Sequence, residues 1–552
     1  MRSARIALRI VCVLFCVTGS AALSPRESAK SATVVNYEFT ITLPQTGNVI
    51  RGCAVLSAIR TKEADNLLLD FMDLSVDSVH LGNRPVHYRL ESASLAIPLG
   101  RSLAASPDTV LVTVWYGGEV KDGLIIHTDR QGRWAAFGDN WPDRARRWLP
   151  IVDRPHAKAT VSWNVIAPAD RNVVANGQLV ERIPFSPDAQ NPSIPRTLTR
   201  WRSSRPIPPY LMVIAAGPLM QVDLGLTAPG LSEFPPGVRQ SVYAVPELSD
   251  YLPGPFTSAG DIVAFFSTLV APFPYEKLAH VQSYTRYGGM ENAGAIFYAD
   301  EAFTRRDVST GLIAHETAHQ WFGDAVTPTG WGHLWLSEGF ASYFEQLWVE
   351  KSKGVGAFRT GMQQLRREII QSDVTFGRPV IDTLQTNLIR LLNTNSYQKG
   401  AWTLHMLRSM LGDTMFFRGV REYYRQHRHS SATTDDLCEA LERVSMKKLR
   451  WFFDQWLRRP GMPELSASWS FSRRTGSLKL EVSQSEKALP YAFPLSVEIT
   501  TSQQRSYVFV VDIPARRNST VQIPMAPTME PIRVVLDPDV ELLASIQNIV
   551  RQ

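Results

Sequence analysis

Apolar and polar positions alternate along the first part of the chain. The sequence YEFTITL from Tyr37 follows this pattern, as does TVLVTVWY at 109–116, and similar segments recur up to about residue 244 with Gly and Pro between them. Alternation with a period of two is typical of a strand that buries one face. We therefore expect a β-rich N-terminal domain over residues 34–244.

Helical spacing replaces this alternation near residue 250. The segments DIVAFFSTLV, QKGAWTLHMLRSMLG and DDLCEALERVS repeat apolar residues every three or four positions, and the stretch around His315 does the same. After RRPGMPEL the alternation returns in LKLEV, LSVEI, YVFVVDI and IRVVLD. We expect a mainly helical domain over 245–460 and a small antiparallel β-sandwich over 461–545. The whole chain is then a multidomain α+β protein.

The first residues have the layout of a secretory signal peptide. Three arginines precede an apolar core over Ile10–Val17, and Ser20 and Ala22 supply the small residues of a cleavage site. The core is too short for a comfortable transmembrane helix, so we expect cleavage of residues 1–22, with an uncleaved membrane anchor as the alternative. This interpretation predicts a secreted or periplasmic protein with no stable membrane span after cleavage.

Charge and cysteine content narrow the classes of partner. Removing the three arginines of the leader lowers the formal net charge from +6 to +3, so the basic balance gives no reason to expect a nucleic-acid partner. The cysteines outside the leader are Cys53 and Cys438. They form no disulfide framework, and an oxidising compartment leaves open whether they pair.

The clearest chemical signal is the motif HETAH within GLIAHETAHQWFG. His315 and His319 are four residues apart, so on a helix their imidazoles project from one face and can share a metal ion. Glu316 then lies beside the metal without binding it. A pair of histidines on an apolar helix face is also compatible with ordinary packing, so the interpretation depends on a third ligand.

Glu338, in WLSEGFASYFEQL, supplies that third ligand. Eighteen residues separate it from His319, enough to end one helix, turn and begin a second. Two histidines and a carboxylate suit zinc and leave one position free for water. The metzincin class requires a third histidine six residues after His319, where this chain has Ala325. We therefore predict one Zn²⁺ per chain, held by His315, His319 and Glu338.

Longer motifs around this site resemble the M1 family of zinc aminopeptidases. They are GGMENAGAIFY at 288–298, HETAHQWFGDAVTPTGWGHLWLSEGFASYFE at 315–345 and SYQKGAWTLHML at 396–407. Looser similarity extends over nearly all of the chain after the leader. The resemblance implies a β-saddle domain, a thermolysin-like catalytic domain and a β-sandwich. It also implies a more open cleft, because the large helical C-terminal domain of many relatives has no counterpart here.

Two residues acquire expected catalytic roles. In zinc-dependent hydrolysis Glu316 takes a proton from water and passes it to the leaving amine, so it acts first as base and then as acid. By resemblance, Tyr397 in SYQKG donates a hydrogen bond to the developing oxyanion, a task that suits a neutral phenol. Taken without this context, Tyr397 is as compatible with packing as any other tyrosine.

The GGMEN segment is the expected substrate-binding segment. Its glycines let the backbone approach a bound peptide as an added strand, and Glu291 offers a negative charge to the free α-amine of the substrate. In isolation the same letters are compatible with a turn followed by a surface glutamate. The residues of this segment are Gly288, Gly289, Met290, Glu291 and Asn292.

The sequence departs from the family pattern at several positions. Relatives carry a glutamine and a glutamate shortly before ARR, and in FGDNWPDRARRW these places belong to Asp139 and Trp141. Asp139 is therefore the expected second anchor of the amine, and Trp141 is expected to shape the pocket for the first side chain. Asp324 and Ser337 replace asparagines, and they either adjust hydrogen bonds around the ligands or are neutral substitutions at helix ends. We expect His333 to lie outside the ligand set.

These observations predict an aminopeptidase that removes N-terminal residues from peptides with a free N-terminus. A zinc endopeptidase and an epoxide hydrolase of the same fold are alternatives within enzymes. A non-catalytic, zinc-stabilised binding module is the alternative from another class. Blocking the substrate amine distinguishes the first possibility from the others, because only an aminopeptidase needs that amine.

Overall fold

A computed structural model describes residues 31–552 except 62–63, 101–106, 130, 186–194 and 228–229. The predicted leader over 1–22 lies outside the described residues. Within the described part of the chain, no helix is both long and apolar enough to cross a membrane.

Strands dominate the N-terminal part, as predicted. The segment YEFTITL lies in the first strand, where buried and exposed side chains alternate. Phe39 of that strand pairs in register with Trp163, and their rings are 5.1 Å apart. The strands are β1 Thr33–Thr42, β2 Val49–Arg60, β3 Asn66–Asp70, β4 Ser75–Leu81, β5 Arg84–Pro85, β6 Arg89–Glu91, β7 Ser94–Pro98, β8 Asp108–Glu119, β9 Leu124–Thr128, β10 Trp134–Gly138, β11 Ala159–Pro168, β12 Asn172–Ala175, β13 Gln178–Phe185, β14 Arg196–Ile207 and β15 Ile214–Gly217.

These strands form three sheets. The largest has the order β13-β14-β11-β1-β2-β8-β4-β5, and the others have the orders β12-β15-β10-β9 and β3-β7-β6. The pair β1 and β11 is parallel, whereas β2 and β8 are antiparallel neighbours over their full length. The loop after β10 carries Asp139 and Trp141 towards the helical part of the molecule.

A five-stranded sheet links the N-terminal part to the helical part. Its order is β16-β17-β18-β20-β19, with β17, β18 and β20 parallel. The predicted border between residues 244 and 245 therefore falls inside a sheet. The strands are β16 Met220–Leu226, β17 Arg239–Ala244, β18 Lys277–Ser283, β19 Gly289–Met290 and β20 Ala295–Ala299.

Helices occupy most of residues 259–457, in agreement with the predicted spacing. Large aromatic side chains such as Trp321, Trp335 and Trp402 are fully buried between them. The helices are α1 Ala259–Leu269, α2 Asp300–Thr304, α3 Thr310–His319, α4 Trp335–Lys353, α5 Val355–Gln371, α6 Asp373–Gly377, α7 Gly400–His427, α8 Thr434–Ser445 and α9 Arg450–Leu457. Two short strands, β21 Val326–Pro328 and β22 Ser430–Ala432, pair in parallel beside them.

Short helical turns lie between these elements. A π-helical turn over Asn395–Lys399 leads directly into α7. Gly412 interrupts α7 with a φ of 74°, so this helix consists of two segments joined at a kink. The 3₁₀ turns are Ala145–Arg147, Pro209–Leu211, Pro246–Leu248, Trp331–His333 and Leu388–Leu391.

The C-terminal strands form two sheets, as predicted for a sandwich. Their orders are β27-β24-β23-β29 and β26-β25-β28. One pair differs from the antiparallel expectation, because β29 runs parallel to β23. This last strand also continues to Arg551, beyond the predicted end at 545. The strands are β23 Glu464–Ser472, β24 Ser477–Gln484, β25 Phe493–Thr501, β26 Ser506–Ile513, β27 Asn518–Pro524, β28 Pro531–Leu536 and β29 Ser545–Arg551.

Candidate active site

Two consecutive helices bring the three predicted ligands together. His315 and His319 lie on α3, and their Nε2 atoms are 3.2 Å apart. Glu338 lies in the first turn of α4, with its Oε2 atom 3.5 Å from the Nε2 of His315 and 3.4 Å from the Nε2 of His319. The three donor atoms therefore form a nearly equilateral triangle.

This triangle has the size of a metal site. Tetrahedral bonds of about 2.0–2.1 Å place neighbouring ligand atoms about 3.3 Å apart, close to the separations among His315, His319 and Glu338. Burial opposes the ionisation of Glu338, but the two imidazoles outweigh it and lower the pKa of this carboxyl to about 2. The donor set therefore fits a divalent cation that takes nitrogen and oxygen ligands.

Neighbouring polar groups orient both imidazoles. The Nδ1 atom of His319 lies 3.0 Å from the Oγ of Ser337 and 3.2 Å from the carbonyl oxygen of Phe322. The Nδ1 atom of His315 lies 3.6 Å from the Oε2 of Glu345. Such contacts leave the Nε2 atoms free to face a metal. Sequence reasoning missed Glu345, although it follows Glu338 by seven residues and so lies two turns along the same helix face.

Glu316 occupies a confined position between the ligands and the GGMEN segment. Its side chain is buried, with the whole residue 5% exposed. Burial raises the pKa of Glu316 to about 7, against the imidazoles of His315 and His319, which lower it. A carboxyl group with a pKa near neutrality can both accept and release a proton.

Gly289 allows this close approach. A Cβ atom at this position would lie 2.2 Å from the Oε1 of Glu316, whereas one at Gly288 would meet no atom within 4 Å. Only a residue without a side chain therefore fits beside Glu316 in its present position. The two glycines look alike in the sequence but differ in their surroundings.

Glu291 faces the same centre from the strand side. It is buried, and one of its oxygens lies within 4.8 Å of donor atoms of Glu316 and His319. Burial raises its pKa, and the charge of His319 opposes that shift. Gln320 donates to the backbone carbonyl of Glu291 at 2.9 Å and so fixes the segment against α3. The neighbouring Asn292 is fully buried, and its side chain has no hydrogen-bond partner among the described residues.

Tyr397 completes the centre from the π-helical turn before α7. Its ring stacks on that of His315 at a centroid distance of 6.1 Å. Burial raises the pKa of Tyr397 well above its usual range, and the nearby carboxylate of Glu338 adds to this shift. The phenol therefore stays neutral and keeps a proton to donate.

A close helix contact positions this turn. Gly339 of α4 and Gly400 of α7 meet so closely that a Cβ on Gly339 would lie 2.9 Å from the Gly400 backbone. Lys399 is buried and donates from Nζ to the carbonyl oxygen of Gly461 at 2.7 Å. Tyr397 is thus held between a helix crossing and an anchor to the segment before the sandwich.

The three ligands and the groups expected to react line one cavity of about 440 Å³. It includes Gly288, Gly289, Met290 and Glu291 of the GGMEN segment together with the three ligands, Glu316 and Tyr397. A metal-binding triangle, a proton-transfer group and a neutral phenol around one cavity are arranged for hydrolysis of a polar bond.

Comparisons with known proteins agree with this arrangement. Residues 35–211 match the Peptidase M1 N-terminal domain, and residues 258–456 match the Peptidase family M1 domain. Together these matches cover more than half of the chain. The protein belongs to peptidase family M1.

Curated relatives of this M1 protein extend well beyond it. It is 29% identical to glutamyl aminopeptidase of Sus scrofa over 60% of this chain and 35% of the relative. It is 26% identical to aminopeptidase N of Lactococcus lactis subsp. lactis, and 26% identical to tricorn protease-interacting factor F2 of Thermoplasma acidophilum. These two matches cover 76% and 73% of this chain, and 50% of each relative. The chain thus spans about a third to a half of the length of these relatives.

A solved structure has the same fold. The crystal structure of Legionella pneumophila aminopeptidase A in complex with aspartic acid superposes with a TM-score of 0.77. The match covers 94% of this chain and 60% of the other, at 17% sequence identity. The three-part architecture is therefore that of an M1 aminopeptidase.

Two predicted site residues of the M1 chain, Asn292 and Asp139, are not among the residues that line the cavity. Asp139 lies beside two arginines instead. Its side chain is fully buried, and its Oδ2 atom lies 3.0 Å from the Nη2 of Arg144 and 3.8 Å from the Nε of Arg286. Because these guanidinium groups already compensate its charge, the structure does not support Asp139 as a second anchor of a substrate amine. Sequence reasoning missed both arginines.

The structure places the remaining residues that the sequence singled out in different surroundings. Trp141 lines the cavity, as expected for a residue that shapes a substrate pocket. Asp324 is buried, and its carboxylate has no hydrogen-bond partner among the described residues. Lys158 donates to the backbone carbonyls of Asp324 and Ala325 and so ties this loop to the N-terminal part. His333 lies 2.9 Å from the Thr434 hydroxyl and outside the ligand set.

Proposed function

We propose that this M1 protein is a zinc-dependent aminopeptidase that cleaves the first residue from peptides with a free N-terminus. The observation that supports it most is the sharing of one cavity by the ligand triangle, Glu316 and Glu291. The ligand triangle and Glu316 supply the groups needed for hydrolysis, and Glu291 supplies a negative charge that can bind the α-amine of a substrate. Several curated relatives are named aminopeptidases, which agrees with this proposal.

Zinc is the metal that the donor set favours. Two imidazoles and one carboxylate are a common ligand set of catalytic zinc, and the remaining position stays open. When bound, zinc polarises a carbonyl group and lowers the pKa of water towards neutrality. We expect one ion per chain, at His315, His319 and Glu338.

Glu316 moves the protons of the reaction. It accepts a proton from the attacking water and delivers it to the nitrogen of the leaving peptide. Its confinement by Gly289 keeps the carboxylate next to the cavity, within 4.8 Å of donor atoms of His319 and Glu291. The peptide bond between the first and second residues breaks, and the products are a free amino acid and a shortened peptide.

Tyr397 and Glu291 act on the first residue of the substrate, Tyr397 at its carbonyl group and Glu291 at its α-amine. The neutral phenol of Tyr397 donates a hydrogen bond to the carbonyl oxygen as negative charge develops there. The carboxylate of Glu291 binds the protonated α-amine, because it lies within 4.8 Å of donor atoms of Glu316 and His319. The other lining carboxylate outside the triangle, Glu345, contacts the Nδ1 of His315 instead. Fixing the amine sets which peptide bond meets Glu316.

A panel of aminoacyl-coumarin reporters with free and N-acetylated amines tests the proposal. We expect release of coumarin from the free-amine reporters alone, its loss after treatment with a chelator, and its return after addition of one equivalent of Zn²⁺. Cleavage within N-acetylated peptides would favour an endopeptidase instead. Absence of turnover from every substrate in a stoichiometrically zinc-loaded protein would favour a binding module.

Replacing the amine anchor separates the aminopeptidase proposal from an epoxide hydrolase of the same fold. Glu291→Gln removes the charge at nearly constant volume, so we expect KM for free-amine reporters to rise about 10-fold or more, as for loss of a charged hydrogen bond. An unchanged KM would remove Glu291 from this role.

Export is part of the proposal, because the N-terminal pattern is that of a signal peptide. We expect the mature protein to begin after Ala22 in the secreted or periplasmic fraction. N-terminal sequencing of protein from that fraction tests this. Recovery of the intact N-terminus in the membrane fraction would indicate an uncleaved anchor.

A further inference from the structure

Most of the cavity wall outside the reacting groups is apolar. Outside the reacting groups, five of the lining residues have apolar or aromatic side chains, namely Trp141, Tyr287, Met290, Leu312 and Leu392. The charged groups of the wall other than the two histidines are carboxylates. An acidic side chain brought into this cavity would therefore meet like charge, whereas an apolar one would bury its surface.

Two aromatic rings form the part of this wall that spans the two domains. Trp141 follows β10 of the N-terminal part, and Tyr287 precedes the GGMEN segment. Their rings meet edge to face, with centroids 5.7 Å apart and planes at 88°. Trp331 also packs against Trp141, with ring centroids 5.5 Å apart, and Tyr210 packs against Trp331 at 5.0 Å. Such packing holds the indole in one position.

Arg144 connects the Trp141 backbone and the surroundings of Tyr287 to the charged network that includes Asp139. Its Nε atom donates to the backbone carbonyl of Trp141 at 2.8 Å, and its Nη1 and Nη2 atoms lie 3.0 Å from the carboxylates of Asp122 and Asp139 respectively. Burial raises the pKa of the Tyr287 phenol, while the adjacent Arg144 guanidinium lowers it. One buried cation thus holds the backbone of Trp141 and acts on the phenol of Tyr287.

The residue before Tyr287 joins the same network. Arg286 pairs with Asp122, and its Nε atom lies 3.8 Å from the Oδ2 of Asp139. Thr285 lies 3.4 Å from the other carboxylate oxygen of Asp139. The start of the substrate-binding segment is therefore attached to carboxylates of the N-terminal part. Asp139 is the fully buried charge of this network, and a buried charge that loses its partners is costly, so these contacts hold the segment in place.

We propose that Trp141 and Tyr287 select substrates whose first residue has an apolar or aromatic side chain, and that Arg144, held by Asp122 and Asp139, positions this pair. The inference rests on the proposed aminopeptidase function and names the substrate class of that site. Trp141 and Tyr287 determine specificity through contact, and Arg144, Asp122 and Asp139 act through them.

Free-amine reporters of alanine, leucine, phenylalanine, lysine and glutamate test the specificity of the zinc-loaded, full-length mature protein. For a pocket that distinguishes side chains by apolar contact, we expect kcat/KM for leucine and phenylalanine to exceed that for alanine by about 10-fold or more. A preference for lysine, through Glu345, or for glutamate would overturn the proposal. Absence of turnover from every free-amine reporter would contradict the aminopeptidase function itself, which separates the two failures.

Substitution of each ring assigns the preference to this pair. In Trp141→Ala and Tyr287→Ala we expect kcat/KM for leucine and phenylalanine to fall about 10- to 100-fold and that for alanine to fall less, since large apolar contacts are lost. Trp451→Ala is the matched control, because Trp451 lies on α9 away from the cavity and is 42% exposed. An equal loss for all reporters in the ring variants would contradict a role in specificity.

The positioning role needs variants that leave both rings in place. Asp139→Asn removes the charge of one partner of Arg144. Arg286→Gln alters a half-exposed side chain, so we expect it to disturb folding less than a change at the buried Asp139. We expect both to lower the leucine-to-alanine ratio of kcat/KM with an unchanged zinc content, whereas a general loss of folded protein would leave that ratio unchanged. An unchanged ratio in Arg286→Gln and in folded Asp139→Asn would overturn the positioning role.

Discussion

The two sides of the cavity are built in different ways. On one side the ligands lie on α3 and α4, two helices that follow each other in the chain, and Glu316 lies between two of them. On the other side Trp141 comes from the N-terminal domain, whereas Tyr287 and Glu291 come from one segment of the catalytic domain. The first side is therefore specified by spacing within a short stretch of sequence. The second depends on contacts between residues that are more than a hundred positions apart.

The two sides of the cavity tolerate different kinds of sequence change. A one-residue shift in α3 or α4 would turn a ligand away from the metal, so the motif cannot vary. The substrate side needs only a rigid apolar wall near one carboxylate, and ion pairs such as Arg144 with Asp139 can supply that rigidity. Variation there changes the preferred substrate before it abolishes hydrolysis.

Glu316→Gln tests the helix side with the largest expected effect. The amide cannot accept the proton of water, so we expect kcat to fall about 10³- to 10⁴-fold, as for loss of a general base. The zinc content, measured by metal analysis of dialysed protein, should stay near one ion per chain. Glu439→Gln, an exposed position on α8, is the matched control. Near-normal turnover of Glu316→Gln would contradict its role.

Tyr397→Phe tests the oxyanion contact on the same side. The variant keeps the ring that stacks on His315 but loses the donor, so we expect kcat to fall about 10²- to 10³-fold, as for loss of one oxyanion donor. KM should change little, because the hydrogen bond strengthens only as charge develops. Steady-state kinetics with a leucine reporter distinguish this result from a packing role, which would alter the midpoint of unfolding instead.

The glycine pair tests where the two sides meet. An added methyl group at Gly289 would lie 2.2 Å from the Oε1 of Glu316 and must displace that carboxylate. We therefore expect Gly289→Ala to lower kcat about 10²-fold, the effect of a displacement of roughly 1 Å in a reacting group. Gly288→Ala meets open space, so its loss should be smaller and should appear in KM. Equal losses in kcat would show that the approach of Gly289 to Glu316 is not what limits the reaction.

The sequence could predict the ligand side almost completely. The helical period and the spacing between HETAH and Glu338 predict that the three ligands meet, as the structure shows. The alternation along YEFTITL likewise predicts the first strand. Asp139 is the instructive failure, because its position in the motif indicated a substrate contact. Its role follows from Arg144, in the same segment, and from Arg286, which comes near only when the two domains pack. Long-range ion pairing has no signature in local spacing, and the same holds for the parallel pairing of β29 with β23.

The smallest expected effect is on stability and comes from a buried histidine outside the active site. Carboxylates around the ligands raise the pKa values of His315 and His319 despite burial. His405 is instead buried among Tyr343, Trp402 and Phe358, and it lies 2.8 Å from the carbonyl of Val540 through Nε2. Burial lowers its pKa to about 4, well below its usual value of about 6.5.

Stability should therefore fall with acidification. Between pH 6.5 and 4 the unfolded chain binds a proton at His405 that the folded chain does not, so the free energy of unfolding decreases by about 1.4 kcal/mol per pH unit from this group. We expect His405→Gln to flatten the pH dependence measured by urea unfolding from pH 4.5 to 7, relative to the unsubstituted protein. His156→Gln, at an exposed position, is the matched control. An equal slope in His405→Gln and the unsubstituted protein would mean that His405 takes up its proton in the folded state, and its contact with the Val540 carbonyl would then be that of an imidazolium.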